Sequence, residues 1–330
     1  MMPAFNTPAP GAILLPLSNT AKSDLLLLVV TLLAAISWMF SREAVSMMPP
    51  LMFISVRFLL GGLVLGLAGV RELSALTREQ VLRAARVGLV FGLAMSCWIN
   101  GLFRIDHVGE GSFLTSLNVV LVPLIARVLF SEAQPGSTWV ALPVAGTGLA
   151  LLSLENGFRP EPGQLFFVTA AALFALYYNL NTRAANARTV TGRDGVNREE
   201  HIPVIALTSV VLLTVGLFTG VLSAVLEPWR ATLSDWSLEL TGWVLASTLV
   251  GTAGRFFVQT WAQSLSPHSH GVVIMILEPV WVTVFAAAWF AETMSASQFA
   301  GCTLILAALL INRWRALGRM IKGWFRGRPA

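Results

Sequence analysis

Charged residues are scarce in this sequence: Asp, Glu, Lys and Arg make up 12% of its 330 residues, whereas a soluble globular domain typically contains about 25%. Hydrophobic residues make up 55%. So little polar surface cannot cover a water-exposed fold, which excludes most classes of soluble enzyme. Cysteine is also rare. Cys97 and Cys302 both lie in apolar runs, so the chain is not a disulfide scaffold and offers no cysteine-based metal pattern.

The motifs of nucleotide-driven and hydrolytic proteins are missing. The chain has no GxxxxGK[ST], no HExxH and no GxSxG, so we expect neither enzymatic activity nor a cofactor or metal. The net charge of +5 does not by itself indicate nucleic-acid binding, and we expect no nucleic-acid partner. Two alternatives stay open at this point. One is an integral-membrane enzyme acting on lipid-like substrates, and the other is a membrane scaffold or sensor acting through residues 184–201 and a basic tail.

Long apolar runs dominate what is present. A bilayer core about 30 Å thick needs roughly 20 apolar residues per helix. Ten runs approach that length, at 24–42, 50–70, 82–103, 109–131, 137–154, 163–183, 202–226, 240–264, 270–291 and 295–314. An even spread of the charged residues would put about 24 inside these runs, yet only Arg57, Arg127, Arg255 and Glu278 lie clearly within them. We therefore predict an all-α polytopic membrane protein with ten transmembrane helices.

The basic residues fall unevenly between the two sides of such a bundle. If the N-terminus is cytoplasmic, fifteen lysines and arginines lie on the cytoplasmic side and four, Arg42, Arg104, Arg159 and Arg230, lie on the other. Cytoplasmic loops of membrane proteins carry the excess of positive charge. We therefore predict a multi-pass protein of the cell (inner) membrane with both termini in the cytoplasm.

The two halves of the chain resemble each other. An offset of 160 residues aligns 109–132 with 269–292 without a gap and matches Gly111 with Gly271 and Glu132 with Glu292. Five spans in each half give the halves opposite orientations, as in transporters built from inverted repeats. We predict four regions: a flexible lead-in (1–21), a first repeat (22–156), a second repeat (157–315) and a basic cytoplasmic tail (316–330).

Several motifs also resemble those of a known protein family. The runs ISWMFSREAVSMMPPLMFISVRF (36–58), GEGSFLTSLNVVLVPLIARVLFSE (109–132) and HGVVIMILEPVWVTVFAAAWFAETMSASQFAG (270–301) are similar to the EamA family of the drug/metabolite transporter superfamily. The positions that carry the resemblance are Trp38, Arg57-Phe58, Pro279-Val280, Glu132 and Glu292. The resemblance implies two inverted five-helix repeats and the export of small metabolites, often amino acids or related compounds. The first half departs from the second by having Asn118-Val119 where the second has Glu278-Pro279.

Two opposite charges are expected at the same membrane depth. Arg255 and Glu278 are equidistant from Ser266-Pro267, where two antiparallel helices must turn. At 1.5 Å per residue each lies about 13–15 Å from that turn, near the bilayer midplane. A salt bridge is therefore feasible, but helix rotation decides whether the side chains face each other. Such a pair would be either a permanent bridge or an exchangeable site for a proton or an anionic substrate group.

Two further residues mark this region of the bundle. Pro279 in the middle of a predicted span would leave a backbone carbonyl free, either beside a substrate or proton site or as a simple packing kink. Arg57 would be an outer gate or carboxylate clamp, with Glu43 as a potential partner, or would snorkel to the membrane surface.

Uncharged polar and aromatic residues recur where a central cavity would lie, as expected for a small-molecule site. For Tyr177 and Tyr178, aromatic anchoring at the membrane interface is the alternative. These candidates are Trp38, Asn100, Thr115, Asn118, Tyr177, Tyr178, Asn179, Gln259 and Gln263.

The expected partners follow from the same features. They are a small-molecule substrate and, for the basic tail NRWRALGRMIKGWFRGRPA (312–330), anionic membrane lipids. The protein would be a monomer or a homodimer. The sequence thus predicts a secondary transporter that works by alternating access and is either coupled to protons through Glu278 or uncoupled.

Overall fold

The computed structural model describes residues 19–131, 136–153, 161–186, 188–191, 197–265, 274–275 and 277–326, and these residues are predominantly helical. The first half contains α1 (Asn19–Met47), α2 (Pro50–Ala68), α3 (Val70–Ser74), α4 (Arg78–Arg104), α5 (Val108–Ser116), α6 (Asn118–Phe130) and α7 (Gly136–Ser153). The second half contains α8 (Pro162–Ala185), β1 (Arg188–Thr191), β2 (Asn197–Glu200), α9 (Val204–Leu226), α10 (Trp229–Ser234), α11 (Leu238–Ala246), a π-helical segment (Ser247–Gly254), α12 (Arg255–Ser264), α13 (Leu277–Phe290) and α14 (Ala296–Arg326).

Six of the described helices are long and apolar enough to cross a membrane: Lys22–Met47, Pro50–Ala68, Arg78–Arg104, Val108–Phe130, Pro162–Ala185 and Val204–Leu226. Apolar side chains lie on their outer surfaces; Leu67, Val225 and Leu217, for example, are strongly exposed. Side chains of this kind are stable on an outer surface in lipid but not in water. The chain is therefore a polytopic membrane protein.

Two connections contain regular structure. The segment 184–201 contains an antiparallel pair in which β1 and β2 align Arg188 with Glu200 and Thr191 with Asn197. The tail is not separate from the last helix, because α14 continues through it to Arg326. Most of the predicted lead-in, residues 1–18, lies outside the described part of the chain.

Glycines hold α9 against α2 and α4. A Cβ on Gly62 would lie 2.8 Å from the Leu213 side chain, and one on Gly88 would lie 2.6 Å from the Thr214 side chain. Such close approach is typical of small residues between membrane helices. The glycine pairs four residues apart make these contacts: Gly62 and Gly66, Gly88 and Gly92, and Gly216 and Gly220.

Two glutamates from the second half bind the helix N-termini of the first half. The Glu292 carboxylate accepts hydrogen bonds from the backbone N–H groups of Val108 (2.9 Å) and Gly109 (3.2 Å), at the start of α5. Glu227 similarly accepts from the N–H groups of Leu51 and Met52, both at 2.8 Å. Carboxylates satisfy the free N–H groups and the positive end of the helix dipole there. Glu292 thus has a partner in the opposite half, while its counterpart Glu132 lies outside the described residues.

The span predicted at 240–264 is a single helical rod with an irregular centre. The π-helical segment separates α11 from α12 and is accompanied by a hydrogen bond from the Thr252 hydroxyl to the carbonyl of Ser247, five residues earlier (3.0 Å). A π-helical turn adds a residue to each turn, and such turns occur frequently at functional sites. Arg255 follows this segment directly, so the segment sets the direction in which Arg255 points.

Candidate functional site

A central cavity lies between the two halves of the bundle. The helices around it are α1, α2, α4, α5 and α6 from the first half and α8, α12 and α13 from the second. The volume open to the centres of water molecules is about 40 Å³, which is room for a few waters because one water needs about 10–15 Å³ by this measure. The cavity is therefore small in this conformation. Its lining residues are Ser37, Trp38, Arg57, Phe91, Met95, Trp98, Thr115, Ser116, Asn118, Val119, Phe174, Tyr178, Arg255, Phe256, Met275 and Glu278.

Glu278 forms the polar centre of the cavity. Its Oε2 lies 3.5 Å from Arg255 Nη2, and its Oε1 accepts a hydrogen bond from the Trp38 indole N–H at 3.1 Å. The side chains of Arg255 and Glu278 are 13% and 14% exposed. The pair that sequence left open is thus formed, and both charges face the cavity. At 3.5 Å the contact is longer than the 2.7–2.9 Å typical of a strong charge-assisted hydrogen bond.

The local fold explains the position of Glu278. Described helix α13 begins at Leu277, so Glu278 lies in its first turn, where the helix dipole favours an anion. Pro279 lies in the same turn. An N-terminal turn has no hydrogen bond for proline to remove, but residue 276, which precedes Leu277, lies outside the described residues, so the predicted mid-helix kink stays a prediction. Pro279 is not among the residues that line the cavity.

Neutral groups hold the Arg57 side chain at the wall of the cavity. Its guanidinium donates to the hydroxyls of Thr252 (2.8 Å), Ser41 (2.7 Å) and Ser37 (3.0 Å) and to the carbonyl oxygen of Gly251 (3.2 Å). The side chain is 1% exposed. Arg57 therefore joins α1, α2 and the π-helical segment, and it reaches the cavity without snorkelling to a membrane surface.

The predicted pairing of Arg57 with Glu43 is wrong. Glu43 lies nearer the end of α1 and accepts a hydrogen bond from the Trp289 indole N–H at 2.9 Å, on the exposed surface. Arg57 instead packs over the rings of Phe53 and Phe58, with its guanidinium carbon 5.2 and 5.4 Å from the ring centres. These rings contribute cation–π stabilisation to a charge that is removed from water.

Aromatic rings form much of the remaining wall. Trp38 and Trp98 meet edge to face with ring centres 4.7 Å apart, and Phe91 meets Phe256 at 5.0 Å. Tyr177 stacks behind Phe91 at 4.0 Å. An apolar, aromatic wall around a few charged groups is the usual composition of a small-molecule site.

Four of the uncharged candidates line the cavity: Trp38, Thr115, Asn118 and Tyr178. The Asn118 amide donates to the carbonyl of Thr115 at 2.7 Å, so its donor serves the junction between α5 and α6. Asn100 lies outside the lining and donates to the carbonyl of Ser96 at 2.9 Å. Gln263 also lies outside it and accepts from the Asn181 amide at 2.6 Å.

Three other predicted site residues are placed elsewhere. Tyr177 is buried in the core behind Phe91, which also makes an interfacial anchor the wrong interpretation. The Asn179 amide joins α8 to α6 by donating to the carbonyls of Val122 (3.0 Å) and Ala175 (2.8 Å). Gln259 is buried one turn beyond Arg255 and is not among the lining residues.

Sequence reasoning missed the hydroxyl cluster around Arg57. Ser37 and Ser41 are four residues apart in an apolar run and therefore lie on one face of α1. That spacing could have predicted two hydroxyl groups on one face of α1. The sequence gives no comparable indication for Gly251 and Thr252, because their position depends on the π-helical segment.

Three comparisons with known proteins agree with this architecture. The EamA-like transporter family matches residues 21–154 and again residues 161–314. The protein is thus a membrane transporter, and it belongs to the EamA-like transporter family, within the drug/metabolite transporter superfamily. The two matches fall one in each half of the chain.

Relatives in other organisms have the same general description. The chain is 24% identical over 316 residues to "Uncharacterized transporter YvbV" of Bacillus subtilis (strain 168), covering 90% of this chain and 93% of the relative. It is 23% identical over 289 residues to an "Uncharacterized transporter" of Archaeoglobus fulgidus, covering 88% of this chain and 85% of the relative. These relatives are transporters and the family is not known for enzymes, which removes the membrane-enzyme alternative.

A solved structure shares the fold. It is titled "Crystal structure of protein", superposes with a TM-score of 0.61 at 19% identity, and covers 89% of this chain and 97% of its own. At this identity the likeness concerns the fold alone.

Proposed function

We propose that this protein is a secondary transporter that exports a small zwitterionic metabolite, such as an amino acid or a related compound, by alternating access. The observation that most supports the proposal is the Arg255–Glu278 pair, which faces a cavity between the two halves of the chain. A free zwitterion has the same two charges. Its carboxylate can take the place of Glu278 against Arg255, and its ammonium group can take the place of Arg255 against Glu278.

The geometry of the pair supports exchange with a substrate. At a separation of 3.5 Å the charges of Arg255 and Glu278 attract each other less strongly than they would in close contact. Glu278 also accepts a hydrogen bond from Trp38. A guanidinium can bind a carboxylate through two parallel hydrogen bonds. A bound substrate can therefore offer Arg255 better geometry than Glu278 does, while the aromatic walls accept an apolar side chain.

The full architecture is part of the proposal. We place ten transmembrane helices in two inverted repeats, 22–156 and 157–315, with both termini in the cytoplasm of the cell (inner) membrane. Helices occur in each of the ten predicted runs, and in this topology fifteen lysines and arginines fall on the cytoplasmic side against four on the other. Export as the direction of transport rests on the resemblance to the family. One chain supplies all the lining residues, so a monomer is sufficient; a homodimer would have one cavity per chain.

We further propose that Glu278 couples export to protons. Protonation neutralises the carboxylate, which then no longer binds the ammonium group of the substrate, whereas deprotonation restores the negative charge that binds it. A proton and the substrate ammonium group would then compete for Glu278, which is the requirement for antiport. The basic extension of α14 is proposed to contact anionic lipids at the cytoplasmic surface.

Counterflow in proteoliposomes tests the substrate class. Vesicles preloaded with unlabelled amino acids would receive the same compounds in labelled form, and accumulation would be measured for the wild type and for Arg255→Gln. We expect the variant to lose at least about tenfold in rate, equivalent to 1.4 kcal/mol or more. Arg104→Gln, on an exposed side chain at the end of α4, is the matched control and should behave as the wild type. Equal counterflow by Arg255→Gln would contradict the proposal.

A further inference from the structure

Gln259 is a buried amide without a hydrogen-bond partner in the described part of the chain. Its side chain is 1% exposed, and among the residues that the structure describes neither its amide nitrogen nor its amide oxygen has a hydrogen bond. Burying an unpaired polar group costs about 1–3 kcal/mol, and here a donor and an acceptor are both affected. Native proteins avoid this cost with a bound partner, most often an ordered water.

A second unpartnered atom lies one helical turn away. Arg255 Nε is buried and has no hydrogen bond within the described residues. Residues four apart on a helix lie on the same face, about 5–6 Å apart between their Cβ atoms. The unpaired atoms thus mark a polar strip that leads along α12, away from the cavity.

The strip ends at a hydrogen-bonded pair. Asn181 of α8 donates to Gln263 Oε1 at 2.6 Å, and Asn186 donates to the Gln263 backbone carbonyl at 3.3 Å. Asn181 is 1% exposed and Gln263 is 9% exposed. Gln263 lies one turn beyond Gln259 and next to the end of α12 at Ser264. The distance from Arg255 to Gln263 along the helix is about 12 Å.

We infer that a hydrated arm of the transport route runs along α12 from Arg255, past Gln259, and is closed at its far end by the Asn181–Gln263 hydrogen bond. The inference rests on the proposed transport function. In the proposed orientation this arm leads to the cytoplasm. It admits water and the polar head of the substrate, which Gln259 can meet with both a donor and an acceptor.

Cysteine labelling tests this arm. In a Cys97→Ser, Cys302→Ser background, Gln259→Cys would be exposed to a membrane-impermeant methanethiosulfonate reagent in inside-out vesicles and, separately, in intact cells. The reagent reacts with thiolates in water. Trp261→Cys is the matched control, since Trp261 lies on the same turn but is 43% exposed on the outer surface of the bundle, where lipid would surround it.

We expect Gln259→Cys to react at least about tenfold faster than Trp261→Cys in inside-out vesicles, a difference equivalent to 1.4 kcal/mol in activation free energy. Adding Asn181→Ala should accelerate the reaction further by opening the closing pair. Equal rates for the two cysteines would overturn the hydrated arm, and an unchanged rate with Asn181→Ala would overturn the closing role of the pair. The counterflow of the background protein tests the transport function separately, so its failure is distinguishable from that of the arm.

Discussion

The Arg57 guanidinium donates a hydrogen bond to the carbonyl oxygen of Gly251 at 3.2 Å, and this contact fixes the π-helical segment against α1 and α2. Arg57 also binds Thr252 of the same segment. Since Arg255 begins the next helix, the contact orients the cationic half of the central pair. The part of the cavity wall that contains Arg57 and the Arg255–Glu278 pair are therefore structurally connected.

Gly251→Ala should destabilise this unit. A Cβ at Gly251 would lie 2.4 Å from the Ser37 hydroxyl and 3.4 Å from Arg57 Nη2, and overpacking of this kind costs about 1–3 kcal/mol. Thermal unfolding in detergent, followed by tryptophan fluorescence, measures the effect. Gly242→Ala is the control, because a Cβ there meets nothing within 4 Å. We expect a clear loss of melting temperature only for Gly251→Ala, and equal melting of the two variants would contradict the close packing.

Arg57→Lys should also lower stability although it keeps the positive charge. A lysine has three donors on one nitrogen and lacks the planar fork that reaches four groups around Arg57. At least one buried acceptor loses its partner, at a cost of about 1–3 kcal/mol. The same melting assay applies, with Arg71→Lys on an exposed residue of α3 as the control. Wild-type melting of Arg57→Lys would show that the hydroxyl cluster does not depend on the guanidinium geometry.

Trp38→Phe should weaken substrate binding without unfolding the protein. Phenylalanine keeps an aromatic ring against Trp98 but removes the N–H that holds Glu278 Oε1. A lost hydrogen bond to a charged group is worth about 1.5–3 kcal/mol, and we expect the KM for counterflow to rise by tenfold or more. Trp261→Phe on the exposed face of α12 should leave KM unchanged. If both variants have the wild-type KM, Trp38 does not position Glu278.

Glu292→Ala should loosen the contact between the two halves. The substitution leaves the N–H groups of Val108 and Gly109 without the carboxylate acceptor at the start of α5. Loss of a helix cap costs about 0.5–2 kcal/mol, which should appear as a lower melting temperature. Glu239→Ala, on an exposed residue of α11, should change little. Similar melting of the two variants would show that the Glu292 cap adds no stability.

The sequence predicts well how deep a residue lies in the membrane, but it predicts poorly in which direction its side chain points from the helix axis. Arg255 and Glu278 were placed at the same level because they are equidistant from a turn, and the structure confirms that they meet. Residue counting alone cannot give the directions of their side chains. The π-helical segment before Arg255 changes the helical phase between α11 and α12, so faces assigned by a regular period do not carry through it.

The expected partner of Arg57 was wrong because the depth argument was not applied to it. Ser41, not Glu43, is as far from Pro49 as Arg57 is, so the depth argument used for the central pair would have selected the hydroxyl. A charged partner was expected because charges in membranes usually pair.

Proton coupling through Glu278 is measured most directly as amino-acid efflux from proteoliposomes with and without a pH gradient, for the wild type and for Glu278→Gln. We expect the gradient to accelerate efflux by the wild type. Glu278→Gln, which cannot change its charge, should transport at the same rate with or without the gradient. If Glu278→Gln keeps full gradient-driven efflux, Glu278 is not the coupling residue, and the role assigned to the central pair is wrong.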